Sequence, residues 1–338
     1  MTSPLMPYLR RLITGSVLSE EEAHAFFLAV LDGHANDVEL ASMLTALALR
    51  GEDLGEIVGA VRAMRDRMVA VTAPKDTIDV CGTGGDGRHT LNISTAVSFV
   101  LAGCGVKVAK HGNRALTSRA GAADVLTALG VNIDPPIERL SSILDDAGIV
   151  FLFAPNHHPG LLHAGPVRKK LGFRTIFNLL GPLASPAMVR HQLIGVFDAE
   201  RAALLAQAAG ALGAQHVWVV HSAGTDELSL AGKNQICIWY QGQLRQFNLM
   251  PEECGFARVP LERIAGGDAL YNAQAIVDLL DGVSGPYRDT VLLNAAAGLM
   301  VAQRCSTMID GISMAARAID QGFARGALNR LRERSTVS

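Results

Sequence analysis

Ile78-Asp-Val-Cys-Gly-Thr-Gly-Gly-Asp-Gly87 opens the stretch, residues 77–130, around which the chain is organised. A short apolar run leads into a glycine-dense loop, and a polar cluster and a helix-like run follow. The pattern then repeats: an apolar run at 106–109, a polar loop, and a helix-like run that Gly130 stops. This order predicts strand, loop, helix, strand, loop, helix. In an open parallel sheet both loops would lie at the carboxyl edge of the strands, where ligands bind.

The glycine loop suits phosphate, because residues without a Cβ let backbone N–H groups approach a ligand closely. Its spacing, Gly82-x-Gly84-x-x-Gly87, also matches the dinucleotide fingerprint. A NAD site requires an acidic residue at the end of the second strand, where Lys110 stands, and Asp86 would repel the pyrophosphate. No Lys-Ser or Lys-Thr pair follows at the spacing of a P-loop. The residues leave two alternatives: a phosphate or phosphosugar site, and a purely structural tight turn.

A cluster of polar side chains favours the phosphate alternative. Asn92, Ser94 and Thr95 lie at a predicted helix start, where backbone N–H groups are free, and a helix N-cap would need only one of them. Lys110 ends the next predicted strand and adds a cation. Together the two loops predict a binding site for a ligand with several phosphates, in which Asp86 suits a sugar hydroxyl or a metal-held group.

Four blocks of the chain resemble the anthranilate phosphoribosyltransferase family. They are Gly82-Thr-Gly-Gly-Asp-Gly87, Asn92-Ile-Ser-Thr95, Lys110-His-Gly-Asn-Arg114 and Gly121-Ala-Ala-Asp-Val-Leu126. The likeness covers nearly the whole chain. It implies an Mg²⁺-dependent transfer of the 5-phosphoribosyl group from 5-phosphoribosyl 1-diphosphate to the amine of anthranilate, with release of diphosphate, in tryptophan biosynthesis.

The resemblance implies a role for each matching residue. The donor would be bound by Gly82, Gly85, Asp86, Thr90, Asn92, Ile93, Ser94, Thr95, Lys110, His111, Gly112, Asn113, Arg114, Ser118 and Ala122. Anthranilate would be bound by Gly82, Asn113 and Arg168, the last through the carboxylate. Catalytic roles are expected for Lys110, Arg168 and His111, and His111 would accept the amine proton if a base is used. By residue type alone, Arg168 is typical of a surface arginine.

Asp226 and Glu227 follow a predicted strand at 216–220. Adjacent carboxylates in that place indicate either a solvated loop or a site for a hard cation such as Mg²⁺. The resemblance favours the metal site and implies two ions per subunit, with the Ser94 hydroxyl on the second ion. His157-His158 lacks the spacing of a zinc site, and a structural or loop role is expected for that pair.

The first 68 residues are expected to be all helical. Capping boxes begin helices at Ser19, Asn36 and Asp53, and apolar residues at helical spacing follow each of them. Three short amphipathic helices cannot bury their apolar faces alone. We therefore expect a helical domain, residues 1–70, completed by helices around 160–190. The resemblance implies that this domain carries a homodimer contact.

Residues 71–338 are expected to form an α/β domain. Apolar strand-like runs alternate with helical runs, which predicts a mostly parallel sheet flanked by helices. Strands are expected at 149–153 and 192–197, and a hairpin is expected at 235–240 and 243–248.

Composition narrows the functional classes. The chain has 338 residues, 49% of them hydrophobic, and a formal net charge of −2, so nothing indicates a nucleic-acid partner. Five scattered cysteines without a Cys-x-x-Cys pair fit reduced thiols. The N-terminus lacks a signal-peptide pattern, and no apolar run reaches the ~18–20 residues that span a bilayer. We expect a cytoplasmic enzyme without a membrane partner.

The chain departs from the family pattern in four places. Thr117 stands where serine is usual and keeps a hydroxyl, whereas Ala122 lacks the serine side chain that would contact the phosphate. Segments 159–161 and 223–225 also differ.

Two other functions would leave different patterns in the sequence. A pyrimidine-nucleoside phosphorylase of the same fold would have a glycine-rich continuation where Asn113-Arg114 stands. A non-catalytic, nucleic-acid-binding paralogue would have a degraded glycine loop and a basic surface.

Overall fold

A computed structural model describes residues 5–115 and 119–336 of the chain. Helices and strands alternate along most of it. The helices are α1 (Met6–Ile13), α2 (Glu20–Leu31), α3 (Asp37–Arg50), α4 (Leu54–Arg67), α5 (Ile93–Gly103), α6 (Ala122–Ala128), α7 (Leu140–Ala147), α8 (Ala154–His157), α9 (Leu161–Leu171), α10 (Phe177–Leu183), α11 (Ala202–Ala211), α12 (Ala269–Leu280), α13 (Pro286–Val301), α14 (Met308–Asp320) and α15 (Phe323–Thr336). The strands are β1 (Ile78–Gly82), β2 (Val108–Gly112), β3 (Ile149–Phe153), β4 (His191–Gly195), β5 (His216–Ser222), β6 (Asn234–Tyr240) and β7 (Gln243–Leu249). In the described ranges, none of the helices combines the length and hydrophobicity of a transmembrane span.

The three capping boxes predicted in the first 68 residues are confirmed. Ser19, Asn36 and Asp53 each accept a hydrogen bond from a backbone N–H of the first helical turn. The glutamate three positions after each cap accepts a bond from the backbone N–H of the cap residue. Helices α2, α3 and α4 therefore begin where the sequence pattern indicates.

The N-terminal helices pack closely on one another and on helices from the middle of the chain. A Cβ on Gly59 of α4 would lie 2.3 Å from the Glu20 carbonyl oxygen, so α2 and α4 approach each other at a glycine. Helix α9 packs against α2 and α3, and α10 packs against α4. Phe26, Phe27 and Phe177 form a chain of edge-to-face aromatic contacts across this core.

The strands form one sheet in the order β3-β2-β1-β4-β5-β6-β7. The first five strands in this order, β3, β2, β1, β4 and β5, are parallel to one another. Strand β6 pairs antiparallel with β5, and β7 pairs antiparallel with β6. The predicted mostly parallel sheet and the predicted hairpin are confirmed. Strand β1 lies between β2 and β4. After β1 the chain adds β2 and β3 on one side of it and then β4 and β5 on the other side. The carboxyl ends of β1 and β4 therefore lie at a topological switch point, where α/β proteins bind ligands.

The sheet separates two apolar cores. Along β5, Trp218 and Val220 face a core shared with α5 and α13, whereas Val217 and Val219 face a core shared with α11 and the N-terminal helices. This alternation is the two-residue period of a strand. Because both faces are covered, the central strands are nearly continuous apolar runs.

Candidate active site

The glycine loop leaves β1 in conformations that favour glycine. Gly84, Gly85 and Gly87 have φ angles of 65°, 73° and 71°, in the left-handed region that side chains with a Cβ avoid. The N–H of Thr83 donates to the carbonyl oxygen of Gly195 at 2.9 Å, which joins the loop to the end of β4. The loop is therefore a defined bend at the switch point.

Asn92 fixes the start of α5, although not as a simple cap. It occupies the N-cap position, but its side chain makes no capping bond. Its Oδ1 accepts from Nδ2 of Asn272 at 2.8 Å, and its Nδ2 donates to the Ala120 carbonyl at 3.3 Å. The Tyr287 hydroxyl donates to its backbone carbonyl at 3.1 Å. Helix α5 is thereby tied to α12 and α13.

Lys110 is buried between β1 and the first turn of α5, with 3% of its surface exposed. Its Nζ donates to the Val80 carbonyl at 2.7 Å and to the Ser94 hydroxyl at 3.2 Å. Burial lowers the pKa of Lys110, and the negative charges of Asp79 and Glu227 oppose that shift. The structure thus brings the predicted cation into contact with the predicted polar cluster.

Asp226 and Glu227 connect the glycine loop to α5. The N–H of Gly84 donates to Oδ2 of Asp226 at 2.8 Å, and the N–H of Ser94 donates to Oε1 of Glu227 at 3.2 Å. Burial raises the pKa of Asp226 to about 6, and the charge of Asp86 acts in the same direction. Burial, followed by the charge of Asp226, raises the pKa of Glu227. Keeping both carboxylates charged in this buried position is therefore costly.

This donor set fits Mg²⁺ that shares its coordination with a substrate. Such an ion takes oxygen ligands, keeps waters, and is usually held by one or two carboxylates together with substrate phosphates. Asp226, Glu227 and the Ser94 hydroxyl offer these oxygens beside one another. Within residues 5–115 and 119–336, no cluster of three or more His, Cys, Asp or Glu side chains offers a complete protein cage.

Two glycines make room for Asp226. Gly82 and Gly195 are register partners at the ends of β1 and β4. A Cβ on Gly82 would lie 2.2 Å from Oδ2 of Asp226, and a Cβ on Gly195 would overlap the Asp226 backbone. Sequence reasoning included Gly82 and missed Gly195, whose only signal is a glycine at the end of an apolar strand.

The loop after β2 is organised by Asp124, which the sequence prediction also left out. Nη1 of Arg114 donates to Oδ1 of Asp124 at 2.9 Å. The N–H groups of Ala115 and Gly121 donate to Oδ2 at 3.0 and 2.9 Å. The spacing Gly121-x-x-Asp124 at a helix start is the signal that could have found this residue.

The remaining predicted donor residues have these positions. Asn113 accepts the N–H of Arg114 on its side-chain oxygen at 2.7 Å, and Ala122 begins α6. The predicted contact Ser118 and its neighbour Thr117 lie outside the described residues. Gly85 and Asp86 lie in the glycine loop, and Thr90 forms a short β-bridge with Ala265. Both Ile93 and Thr95 are buried in the first turn of α5. Gly112 is the last residue of β2.

His111 and Arg168 both contact α10. His111 is 7% exposed, its ring lies 5.3 Å from the His158 ring, and the backbone of Gly181 in α10 lies near enough to favour the protonated ring. Burial lowers the pKa of His111 to about 3, so the ring is neutral at pH 7. The Arg168 guanidinium lies 5.0 Å from the centroid of the Phe177 ring. The contacts described for Arg168 are with α10, not with the glycine loop or the acidic pair.

Arg174 is a contact of the glycine loop that sequence reasoning missed. Its Nη2 donates to the Gly85 carbonyl, and its guanidinium lies 4.0 Å from the centroid of the Phe197 ring. Arg174 lies just before α10. It therefore links the glycine loop to the side of the site on which Arg168 lies. A single arginine in a connecting segment gives no sequence signal for a partner 89 residues away.

Two family models match the chain. The helical bundle domain of a glycosyl transferase family matches residues 6–68, and the α/β domain of a glycosyl transferase family matches residues 74–325. Among curated relatives, the anthranilate phosphoribosyltransferase of Caulobacter vibrioides is 51% identical over 328 residues, which are 97% of this chain and 96% of that protein.

Solved structures resemble the whole chain. The anthranilate phosphoribosyltransferase of Thermus thermophilus has 41% sequence identity and a TM-score of 0.93, over 97% of this chain and 99% of that one. The Saccharomyces cerevisiae enzyme, solved in complex with PRPP and Mg, has 29% identity and a TM-score of 0.91, over 99% of both chains. The same yeast enzyme has also been solved in complex with 4-fluoroanthranilate (28% identity, TM-score 0.89, 98% of both chains).

Proposed function

The chain belongs to the anthranilate phosphoribosyltransferase family, and from this premise we propose which of its residues bind the substrates and carry out the reaction. Its activity is the transfer of the 5-phosphoribosyl group from 5-phosphoribosyl 1-diphosphate to the amine of anthranilate, giving N-(5-phosphoribosyl)anthranilate and diphosphate in tryptophan biosynthesis. The comparisons lend no support to a nucleoside phosphorylase or to a nucleic-acid-binding paralogue.

One observation carries the assignment of the donor site: a lysine, the first turn of α5 and two carboxylates converge at the switch point. Lys110 touches Ser94, Ser94 touches Glu227, and Asp226 touches Gly84. We assign the donor to this edge, bound by Gly82, Gly85, Asp86, Thr90, Asn92, Ile93, Ser94, Thr95, Lys110, His111, Gly112, Asn113, Arg114, Ser118 and Ala122. Backbone N–H groups and a buried ammonium are the groups that hold a diphosphate.

Stabilising the leaving group is the main task of these residues. Breaking the anomeric C–O bond develops positive charge on the ribose ring and negative charge on diphosphate. Lys110 and the amides of the glycine loop and α5 lie at the edge of the sheet where they can stabilise that negative charge. Bound Mg²⁺ would add further neutralisation of the diphosphate oxygens.

The reaction uses Mg²⁺, as in the yeast relative, and we assign two ions per subunit. Asp226 and Glu227 would hold one ion, and the Ser94 hydroxyl would contact the other. The contacts of Asp226 with the glycine loop and of Glu227 with the first turn of α5, where the Ser94 hydroxyl lies, support this assignment. Equilibrium titration with Mn²⁺ in the presence of phosphoribosyl diphosphate, followed by electron paramagnetic resonance, counts the ions. A plateau at one ion per subunit would contradict the assignment.

The acceptor is assigned to the side of the site near α10. Arg168 would hold the anthranilate carboxylate, since a guanidinium matches a carboxylate in shape and charge. Gly82 and Asn113 would contact the ring from the donor side. His111 is neutral at pH 7 and can accept the amine proton, although the neutral aromatic amine is already nucleophilic and does not need a strong base.

The assembly is proposed to be a cytoplasmic homodimer. The domain boundary is placed at 70/71, with the segment around 160–190 completing the helical domain, because α9 and α10 pack on α2, α3 and α4. Exposed apolar side chains on α1 and α3 support a dimer contact there. We propose no nucleic-acid partner and no membrane partner for this assembly.

The assay that tests these assignments follows the fluorescence of anthranilate. Purified protein is mixed with phosphoribosyl diphosphate, Mg²⁺ and anthranilate, with EDTA in a parallel sample. We expect a loss of fluorescence that needs both donor and metal. Donor binding in calorimetry without that loss would contradict the acceptor assignment, and absence of donor binding would contradict the assignment of residues 77–130.

A further inference from the structure

Asp79 is a buried charged residue for which the proposed reaction has no role. It is the second residue of β1 and has no exposed surface. Its Oδ1 accepts the N–H of His111 in β2 at 3.1 Å. Within the described residues its Oδ2 has no hydrogen-bond partner. A buried carboxylate that is only partly satisfied is costly unless a positive charge lies near it.

The neighbours of Asp79 belong to the donor site. Burial raises the pKa of Asp79 to about 7, and the nearby Lys110 ammonium opposes that shift by favouring the charged carboxylate. That ammonium donates to the carbonyl of Val80, the residue after Asp79, at 2.7 Å. Two consecutive residues of β1, Asp79 and Val80, therefore hold two consecutive residues of β2, His111 and Lys110.

These side-chain contacts take the place of a backbone ladder. Strand β1 pairs with β4 along its whole length, from Ile78 opposite His191 to Gly82 opposite Gly195. Its register with β2, in the described chain, consists of Ile78 opposite Val108. Further toward the carboxyl edge, the hydrogen bonds described between β1 and β2 are those of the Asp79 carboxylate and the Lys110 ammonium.

We propose that Asp79 is a positioning residue for the donor site: its carboxylate holds the His111 backbone and balances the charge of Lys110, so that the ammonium stays directed at Val80 and Ser94. Asp79 itself touches no substrate. The inference rests on the proposed function, because it assumes that Lys110 binds the diphosphate of the donor.

Asp79→Asn tests this directly, because asparagine keeps the volume and the Oδ1 acceptor and removes the charge. The full-length variant is assayed with Mg²⁺ below its unfolding temperature. We expect the KM for phosphoribosyl diphosphate, and its Kd in calorimetry, to rise about tenfold or more, as for the loss of an interaction with a charged group. The KM for anthranilate should change far less. Unchanged donor KM and Kd in the folded variant would overturn the proposal.

Glu56→Gln is the matched control. Glu56 is a fully buried carboxylate of α4 that accepts the Leu18 N–H at 3.0 Å and pairs with Arg50, all within the N-terminal helices. Removing its charge should lower the Tm and leave the donor KM unchanged, so a merely structural effect is distinguished from positioning. If the unmodified protein binds no donor, the proposed function fails instead.

If Asp79→Asn does not fold, a double variant with Lys110→Met tests the proposal instead. Adding Lys110→Met removes the buried positive charge that Asp79→Asn deprives of its Asp79 counter-charge, so the double variant should fold again. A double variant that also fails to fold would overturn the proposal. If both single variants fold, urea unfolding should show coupling between the two changes, whereas strictly additive losses would contradict it.

Discussion

Gly195 lies directly beneath Asp226: a Cβ on this glycine would come within 1.5 Å of the Asp226 carbonyl oxygen. Gly195 is not among the glycines with positive φ, so space and not backbone conformation requires it. We expect Gly195→Ala to move Asp226 away from the Gly84 N–H. Overpacking of this kind destabilises a fold by about 1–3 kcal/mol. Displacement of a site carboxylate also impairs the positioning of the reactants, so the kcat/KM for the donor should fall about tenfold or more. The Mg²⁺ concentration for half-maximal rate should rise, as measured by steady-state kinetics.

Gly232→Ala controls for the added methyl group, because a Cβ on Gly232 meets no atom within 4 Å. It should leave the kinetics and the Mg²⁺ dependence unchanged. Wild-type Mg²⁺ dependence in Gly195→Ala would show that the position of Asp226 does not depend on this glycine.

Arg168 is expected to act on the acceptor alone. Its described contacts are with α10, away from the glycine loop. Arg168→Ala should raise the KM for anthranilate about tenfold or more, the loss expected for a charge-assisted pair with a carboxylate. The donor KM should stay within about twofold, because Arg168 is not among the residues assigned to the donor. Lys169→Ala, at the exposed neighbouring position, is the control for a lost positive charge. A larger effect on the donor KM than on the anthranilate KM would contradict the assignment.

Features that depend on local sequence were predicted well. The capping boxes at Ser19, Asn36 and Asp53 place three helices, because the cap and its glutamate partner are three residues apart. The glycine loop and Lys110 follow strand ends, and the topology of a parallel sheet brings strand ends together. The fold class and the convergence at the switch point could therefore be predicted.

Contacts between distant segments could not be predicted. Gly195 is required by Asp226, and Asn92 is held by Asn272, which is 180 residues away. Arg174 reaches the glycine loop from a connecting segment. Each partner is an ordinary residue in its own segment, and only the folded chain shows which backbone or side chain passes over it.

His216 gives the folded chain a dependence on pH that is separate from the active site. It begins β5, and its Nε2 accepts the indole N–H of Trp218 at 3.1 Å. Burial lowers the pKa of His216 from 6.5 to about 4. The unfolded chain takes up this proton near pH 6.5 and the folded chain only near pH 4, so the stability it contributes is present above pH 6.5 and is lost as the pH falls toward 4.

His216→Gln should flatten the fall of Tm between pH 6.5 and 4, because glutamine keeps an acceptor for Trp218 and does not titrate. Differential scanning calorimetry at several pH values measures the slope. His34→Gln, at an exposed histidine, should leave the slope unchanged. An unchanged slope in His216→Gln would contradict this account of acid sensitivity.

The helical domain exposes apolar side chains that a second copy of the chain would cover. Val38 and Leu49 of α3 are both exposed and are about three turns apart, so they lie on one face of the helix, and Ile13 of the neighbouring α1 is exposed as well. A charge at Leu49, 84% exposed here, would be buried without a partner in a dimer but solvated in a monomer. Leu49→Glu should therefore yield monomers in sedimentation velocity, with an unchanged Tm extrapolated to low concentration. Ile309→Glu, at an exposed site on α14, should leave the dimer intact. A Leu49→Glu protein that still sediments as a dimer would place the contact on another surface.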